Sequence, residues 1–350
     1  MIDFRYHVVS LVSVFIALAV GIVLGAGPLR GQIADQLSAR VDQLAEEKRQ
    51  LRSDKDIAEA GVKNRDAFAT QVTPLLVTGR LSGRHVVLVS LPGAQNELVD
   101  PLTTALKAAG AEVTGRVEIK TTWSAPDRSQ ARATVVREWS KVLTAPAQQA
   151  TRSSGSGTPR PSAGAKNATP SRGGTDIRAD LQDLLARCLV TANPLETGDP
   201  DPVGGQVLNA FSQQGLVAVR EKVTGRADLA VVLAPPVATD PVAPSPSPSG
   251  ADPVRDWVDL SLTLDRAGGG VVLFGPASSA LDGGALAVLR AQKQDTRQVS
   301  TVDTAGSPMG DVTTIHALSE QVRGDGNAYG FGRGAAAVMP AVSAAEQVAS

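Results

Sequence analysis

The chain carries a long apolar segment close to its N-terminus. Residues 8–26 read VVSLVSVFIALAVGIVLGA and hold no ionisable side chain in 19 residues. A helix needs about 20 apolar residues to cross the roughly 30 Å hydrocarbon core of a bilayer. The length of this segment therefore predicts a transmembrane helix, with residues 1–7 on one side of the membrane.

A cleaved secretory signal is the alternative explanation of the same segment. Such a signal has a basic N-terminal region, an apolar stretch of about 7–15 residues and an A-x-A-like cleavage site. Here MIDFRYH carries one Asp against one Arg, the apolar stretch is longer, and Gly25-Ala26-Gly27 is a poor cleavage site. We therefore expect an uncleaved anchor over residues 8–27. Arg5 precedes the span while Arg30 and Arg40 follow it, so these charges do not fix its orientation.

A heptad pattern follows the apolar segment. Leu37, Val41, Leu44 and Leu51 keep a 4-3-7 spacing, and Lys48 stands at the intervening core position. Apolar residues at heptad positions a and d form a narrow stripe that a partner helix buries, and a lysine at a favours a low oligomer order. We expect a coiled-coil helix over residues 28–78 that forms a parallel dimer. A single helix that packs the stripe against its own domain is the alternative.

Two glycines of the apolar segment extend the predicted dimer interface into the membrane. Gly21 and Gly25 are four residues apart, and small residues at this spacing let two membrane helices approach closely. Glycine is also common in membrane helices for other reasons. The predicted interface comprises Gly21, Gly25, Leu37, Val41, Leu44, Lys48 and Leu51.

Beyond residue 84 the pattern changes to short apolar runs that alternate with helical stretches. Residues 85–91, 228–234 and 270–274 are apolar on both faces, as central strands of a parallel sheet are. A shorter strand is predicted at residues 299–302. Helical stretches are predicted at residues 100–110, 175–189, 254–264, 280–291 and 311–322. This alternation predicts a doubly wound, mostly parallel α/β domain over residues 79–340.

Two inserts of low complexity interrupt the predicted domain. Residues 145–174 and 237–251 are rich in Ala, Ser, Gly, Thr and Pro, so we expect disordered surface loops. The first carries four basic residues and no acid, which fits contact with an anionic polymer or simply a soluble loop. We expect residues 341–350 to form a tail. The net charge of −1 gives no indication of nucleic-acid binding.

The sequence holds no pattern of a catalytic site. It lacks a G-x-x-x-x-G-K-[ST] phosphate loop, a G-x-G-x-x-G after a strand and a G-x-S-x-G nucleophile turn. The glycine-rich residues 330–334 follow a predicted helix, and we expect a flexible tail segment there. We therefore expect no catalytic residue. An extracytoplasmic hydrolase is the alternative function.

Metal ligands are scarce in the sequence. Cu(I) prefers Cys and Met, and Cu(II) prefers imidazole. The chain has one cysteine, Cys188, with three methionines and three histidines, and no C-x-x-C pair. Met309 and His316, two helical turns apart, are weak metal candidates, and we expect no cofactor.

The two ends of the chain resemble a known family. Near the N-terminus the sequence reads IDFRYH, then VSL and an apolar span that ends in Gly25. Near the C-terminus it reads VDTAG at residues 302–306, ALSEQ at 317–321 and AAVMP at 336–340. These residues resemble the actinobacterial MctB/SteB family, whose members carry the name copper transporter. The resemblance covers the anchor, the heptad helix and most of the α/β domain, but neither insert.

This resemblance implies a single-pass protein of the cell membrane whose α/β domain is extracytoplasmic. Two functions come with it: copper efflux or homeostasis, and a complex with the partner SteA that influences cell separation through peptidoglycan hydrolases. The poor metal ligands and the heptad helix favour a non-catalytic dimeric scaffold over copper transport. A cytosolic tip would make Asp3, Arg5, Tyr6 and His7 candidates for partner binding. Such residues also flank membrane spans without any partner.

Overall fold

The computed structural model describes residues 4–25, 29–144, 177–237, 252–292 and 299–341. The chain divides into two compact units, Met1–Ala67 and Phe68–Ser350. The predicted inserts, apart from Val237, lie outside the described residues, as do Asp3 and all of the predicted tail but Ala341.

Two helices open the chain. Helix α1 (Phe4–Gly25) contains 19 residues, Arg5–Val23, with a mean hydropathy of 2.3, so it is long and apolar enough to cross a membrane. Helix α2 (Leu29–Val77) has 49 residues and is about 74 Å long at about 1.5 Å per residue. The expected long helix is therefore present, while its pairing into a coiled coil stays a prediction.

A seven-stranded sheet forms the centre of the second unit. Its strands are β1 (His85–Ser90), β2 (Glu112–Ile119), β3 (Val217–Glu221), β4 (Leu229–Leu233), β5 (Gly270–Phe274), β6 (Ser300–Val302) and β7 (Ala328–Tyr329). They lie in the order β3-β2-β1-β4-β5-β6-β7. Only β3 runs antiparallel to its neighbour, so the predicted mostly parallel α/β fold is confirmed. The strands β1, β4 and β5 are buried almost throughout, as their apolar runs predict.

In the part of the chain that the structure describes, seven further α-helices surround the sheet. They are α3 (Val99–Ala108), α4 (Ser129–Thr144), α5 (Ile177–Leu189), α6 (Pro202–Gln213), α7 (Pro253–Ala267), α8 (Ala285–Ala291) and α9 (Pro308–Arg323). Three of them begin with a capping residue followed by proline, namely Asp201, Asp252 and Ser307. Each cap accepts hydrogen bonds from free backbone N–H groups of the first turn, and proline at the first helical position has no N–H to satisfy.

The two faces of the sheet bury separate apolar clusters. One cluster joins β-strand residues to α3 and α9, through side chains such as Leu102 and Ile315. The other joins the opposite face to α4, α5, α6, α7 and α8. Helix α3 connects β1 to β2, and α9 connects β6 to β7. Both helices cover the same face of the sheet, but the two connections run toward opposite edges of the sheet. The two crossovers therefore have opposite hands.

The glycine-rich residues 330–334 do not behave as the flexible tail expected from the sequence. The Asp303 carboxylate, which is fully buried after β6, accepts hydrogen bonds from the backbone N–H groups of Phe331 (2.8 Å) and Gly332 (2.9 Å). Gly330 has a positive φ of 123°, and a Cβ there would overlap the same carboxylate. The glycines are therefore required because this turn wraps closely around Asp303.

Candidate functional site

The residues predicted to bind a cytosolic partner lie at the start of α1. Arg5, Tyr6 and His7 are exposed in its first turns, and the Tyr6 side chain is 76% exposed. Asp3 lies outside the described residues. The structure thus brings three of the four residues together at one end of the apolar helix.

The predicted coiled-coil residues form an uncovered apolar stripe on α2. Leu37, Val41, Leu44 and Leu51 are 62%, 55%, 63% and 63% exposed. Lys48 is exposed on the same helix. Apolar side chains spaced in this way along a water-exposed helix normally face a partner. The stripe is therefore the clearest interaction surface of the first unit.

Helix α2 has one ion pair on its outward face, at heptad positions f and b, and another at the stripe. Glu46 pairs with Arg49 at 2.6 Å, and Lys55 pairs with Glu59 at 2.9 Å. With Leu37 at position d, Lys55 falls at a and Glu59 at e, so this pair neutralises two charges beside the stripe.

Gly21 and Gly25 lie four residues apart on α1, on one face of the helix. A Cβ added to either glycine would meet nothing within 4 Å. The surface at both glycines is therefore open to a neighbouring helix.

The weak metal candidates lie on α9 but do not form a described metal site. Met309 is half-buried in the first turn of α9, and His316 is 5% exposed in its middle. Cys188 is buried in α5, and burial raises the pKa of its thiol to about 12. Among the described residues, the structure places no group of three His, Cys, Asp or Glu side chains that could hold an ion.

The second unit contains a cavity of about 510 Å³ between its helices. Helix α3 with the turn before it, which follow β1, and the start of α9 with the loop before it, which follow β6, supply two of its walls. The last turns of α2 supply the third. Its lining comprises Thr70, Thr73, Pro74, Glu97, Leu98, Pro101, Thr104, Ala105, Ala108, Gly306, Ser307, Pro308 and Asp311.

One buried carboxyl group dominates the electrostatics of this cavity. Asp311 is 8% exposed, and no described residue forms a hydrogen bond or ion pair with its carboxylate. Burial alone raises the pKa of Asp311 to about 7, although it lies near the N-terminus of α9. A helix N-terminus stabilises the charged form, so desolvation outweighs that effect here.

Sequence reasoning missed this cavity for a physical reason. Its walls come from three segments that are distant in sequence, and no spacing rule connects them. The only local signal was Asp311, which opened a predicted helix and therefore resembled an ordinary acidic residue of a first helical turn.

Comparison with known proteins covers nearly the whole chain. The family model MctB, described as a copper transport outer membrane protein, matches residues 1–340. The protein named Copper transporter MctB from Mycobacterium tuberculosis is 27% identical over 342 residues, which is 97% of this chain and 99% of the relative. Its Mycobacterium leprae counterpart is 28% identical over 344 residues with the same coverage. These matches confirm the resemblance found in the sequence, and the chain belongs to the MctB family of copper transport outer membrane proteins.

Proposed function

We propose that this protein is a single-pass, membrane-anchored scaffold of the cell envelope that acts as a dimer and without catalysis. The observation that carries this proposal is the exposed apolar stripe of α2. Each of its leucines and its valine leaves more than half of its side chain in water. Burial of such a side chain contributes about 1.5–3 kcal/mol, so a partner helix would gain considerably from covering the stripe.

A second copy of the chain fits this stripe better than an unrelated surface. In a parallel dimer, Glu47 at position g faces Arg52 at position e of the other copy, which is a favourable pair. Asp54 and Glu59 would face each other at the next such pair, but Lys55 already neutralises Glu59 within its own helix. Lys48 at position a limits the assembly to a low order.

Charged substitutions on the stripe test the dimer. The double substitution Leu44→Glu with Leu51→Glu places four carboxylates in the proposed seam. The matched control, Gln43→Glu with Gln50→Glu, adds the same charges at the outward c positions. We expect the first variant to sediment as a monomer in detergent and to lose function in cells, while the control stays dimeric and functional. A dimeric, functional Leu44/Leu51 variant would refute the proposal.

Disulfide crosslinking tests the parallel register. Residues at the same d position face each other in a parallel dimer, so Leu51→Cys should crosslink two chains upon oxidation. The native Cys188 is buried, so it gives little background. The control Gln50→Cys should crosslink poorly. Equal crosslinking of both variants would argue against a register set by the stripe.

We also propose that the N-terminal tip binds a cytosolic, SteA-like partner through Asp3, Arg5, Tyr6 and His7. The family resemblance and the exposure of Arg5, Tyr6 and His7 support this role. Affinity purification of full-length protein should recover a cytokinetic partner, and the combined substitution Tyr6→Ala with His7→Ala should lose it. Unchanged recovery of the partner with this variant would mean that these residues only flank the membrane span.

Copper transport is the second candidate function, and family membership favours it. Here copper is the cargo, and its ligands would come from residues contributed across an assembly. This function predicts near-stoichiometric copper on the purified full-length protein and copper sensitivity of a deletion strain. Metal-free protein together with unchanged copper tolerance of the deletion strain would refute the copper-transport function.

A hydrolase is a third and weaker candidate function. It is tested by measuring peptidoglycan turnover with the purified protein.

A further inference from the structure

The cavity between α3, α9 and the last turns of α2 is independent of the scaffold function. We propose that it binds a small organic cation, with an apolar body in the cavity and a protonated amine paired with the Asp311 carboxylate.

The size and lining of the cavity fit an apolar body. A volume of about 510 Å³ lies within the range of small-molecule sites. Apolar surface comes from Leu98, Pro101, Ala105, Ala108 and Pro308. The hydroxyl-bearing Thr70, Thr73 and Thr104 add a few polar groups that could orient a ligand. Such a mostly apolar pocket with few polar groups is typical of ligand sites.

The charge of the lining selects a cation. Among the described residues that line the cavity, the titratable side chains are Asp311 and the exposed Glu97, and none is Lys, Arg or His. Glu97 comes from the turn before α3 and Asp311 from α9, while the α2 wall offers threonine and proline only. A carboxylate that is buried without a partner is costly, and an ammonium group would remove this cost.

The raised pKa of Asp311 reflects burial of its carboxyl group and makes binding of a cation depend on pH. Without a ligand, the buried carboxyl group keeps its proton up to a pH of about 7. A bound ammonium group favours the ionised form, so binding should release a proton when the pH is below 7. Affinity for an amine should therefore increase as the pH rises from 5.5 to 8.

The test uses three probes that share one apolar body: 1-adamantylamine, 1-adamantanol and 1-adamantanecarboxylate. Calorimetry with the full-length protein in lipid nanodiscs, corrected with empty nanodiscs, compares their affinities at pH 8. We expect the amine to bind at least tenfold more tightly than the alcohol and the carboxylate not to bind. Equal affinity for amine and alcohol, or binding of the carboxylate, would overturn the proposal.

Two variants locate the binding site. Asp311→Asn should weaken amine binding at least tenfold and remove its dependence on pH, while binding of the alcohol stays unchanged. Ala108→Leu should weaken both probes because it fills the cavity. Glu138→Gln, an exposed carboxylate on α4, is the control and should change neither. Amine binding that is unchanged in Asp311→Asn would refute the role of this carboxylate, and tryptophan fluorescence verifies that each variant is folded.

Discussion

Asp303 and Asp311 lie eight residues apart in sequence, and both are buried, but only Asp303 is paired with an opposite charge. Asp303 forms an ion pair with Arg290 at 2.8 Å, and both side chains are almost fully buried. The same Arg290 donates to the backbone oxygens of Tyr329 (2.9 Å) and Arg333 (3.0 Å). Asp303 therefore holds a charge network together, whereas the Asp311 carboxylate has no described partner.

Removal of Asp303 should destabilise the second unit strongly. The substitution Asp303→Ala leaves the Arg290 charge buried and frees the N–H groups of Phe331 and Gly332, at an expected cost of about 3–5 kcal/mol. All three tryptophans lie in the second unit, so urea unfolding followed by tryptophan fluorescence reports on it. Asp282→Ala is the control, because Asp282 and Arg333 are 92% and 83% exposed. A loss below 1 kcal/mol for Asp303→Ala would contradict the structural role of the network.

Removal of the Asp311 charge should stabilise the protein at neutral pH. Between pH of about 4 and 7, the folded chain holds a proton on Asp311 that the unfolded chain releases, so the free energy of unfolding falls as the pH rises. Asp311→Asn should remove this slope and increase the free energy of unfolding at pH 8 by at most about 4 kcal/mol. Unfolding curves at pH 5 and pH 8 measure the effect, and Glu138→Gln should show none. An unchanged slope would mean that Asp311 is ionised at pH 5.

Helices and strands differ in how far the sequence predicts them. The buried strands β1, β4 and β5 are predicted because both of their faces are apolar. The strand β3, with the sequence VAVRE, is exposed along most of its length and therefore has no continuous apolar run that would predict it. Strand β2 carries the charged residues Glu112, Arg116 and Glu118 and so has no continuous apolar run, and β7 has only two residues. Helices α4 and α6 were missed as well, although Asp201-Pro202 is a recognisable start for α6.

The lysine in the α2 stripe should set the order of the assembly. Lys48 occupies a core position in the proposed dimer, where burial of an ammonium group opposes tight packing. Lys48→Leu should tighten association at least tenfold, or by about 1.4 kcal/mol, and populate oligomers above the dimer. Sedimentation equilibrium in detergent measures both effects. The outward substitution Gln50→Leu is the control, and equal tightening by both variants would contradict the assigned heptad register.

At the scale of the whole molecule, we expect α1 to place the second unit outside the cytoplasm. Leu195 is 84% exposed in the second unit, and Arg5 is exposed at the start of α1. A membrane-impermeant maleimide applied to intact spheroplasts should label Leu195→Cys and spare Arg5→Cys until the cells are lysed. The wild-type protein is the control, since Cys188 is buried. The opposite labelling pattern would reverse the proposed topology.

The overall architecture is more predictable from this sequence than the cavity is. Alternating apolar runs and helical stretches specify an α/β fold because each element must bury its own apolar face. The cavity depends instead on how α3, α9 and the end of α2 pack together. Pro74, Leu98 and Asp311 meet there, yet nothing in the sequence indicates that they are neighbours. Packing between distant segments is the information that the sequence patterns lack.

The shared face of α3 and α9 has a consequence for biosynthesis. Val77, at the end of α2, and Ile315, in α9, belong to the same buried cluster although they lie at opposite ends of the unit in sequence. Contacts between such distant segments form late, because the chain between them must first be confined. Helix α9 is also synthesised after all the other helices that the structure describes. We therefore expect this face of the sheet to stay open during synthesis until α9 has left the ribosome.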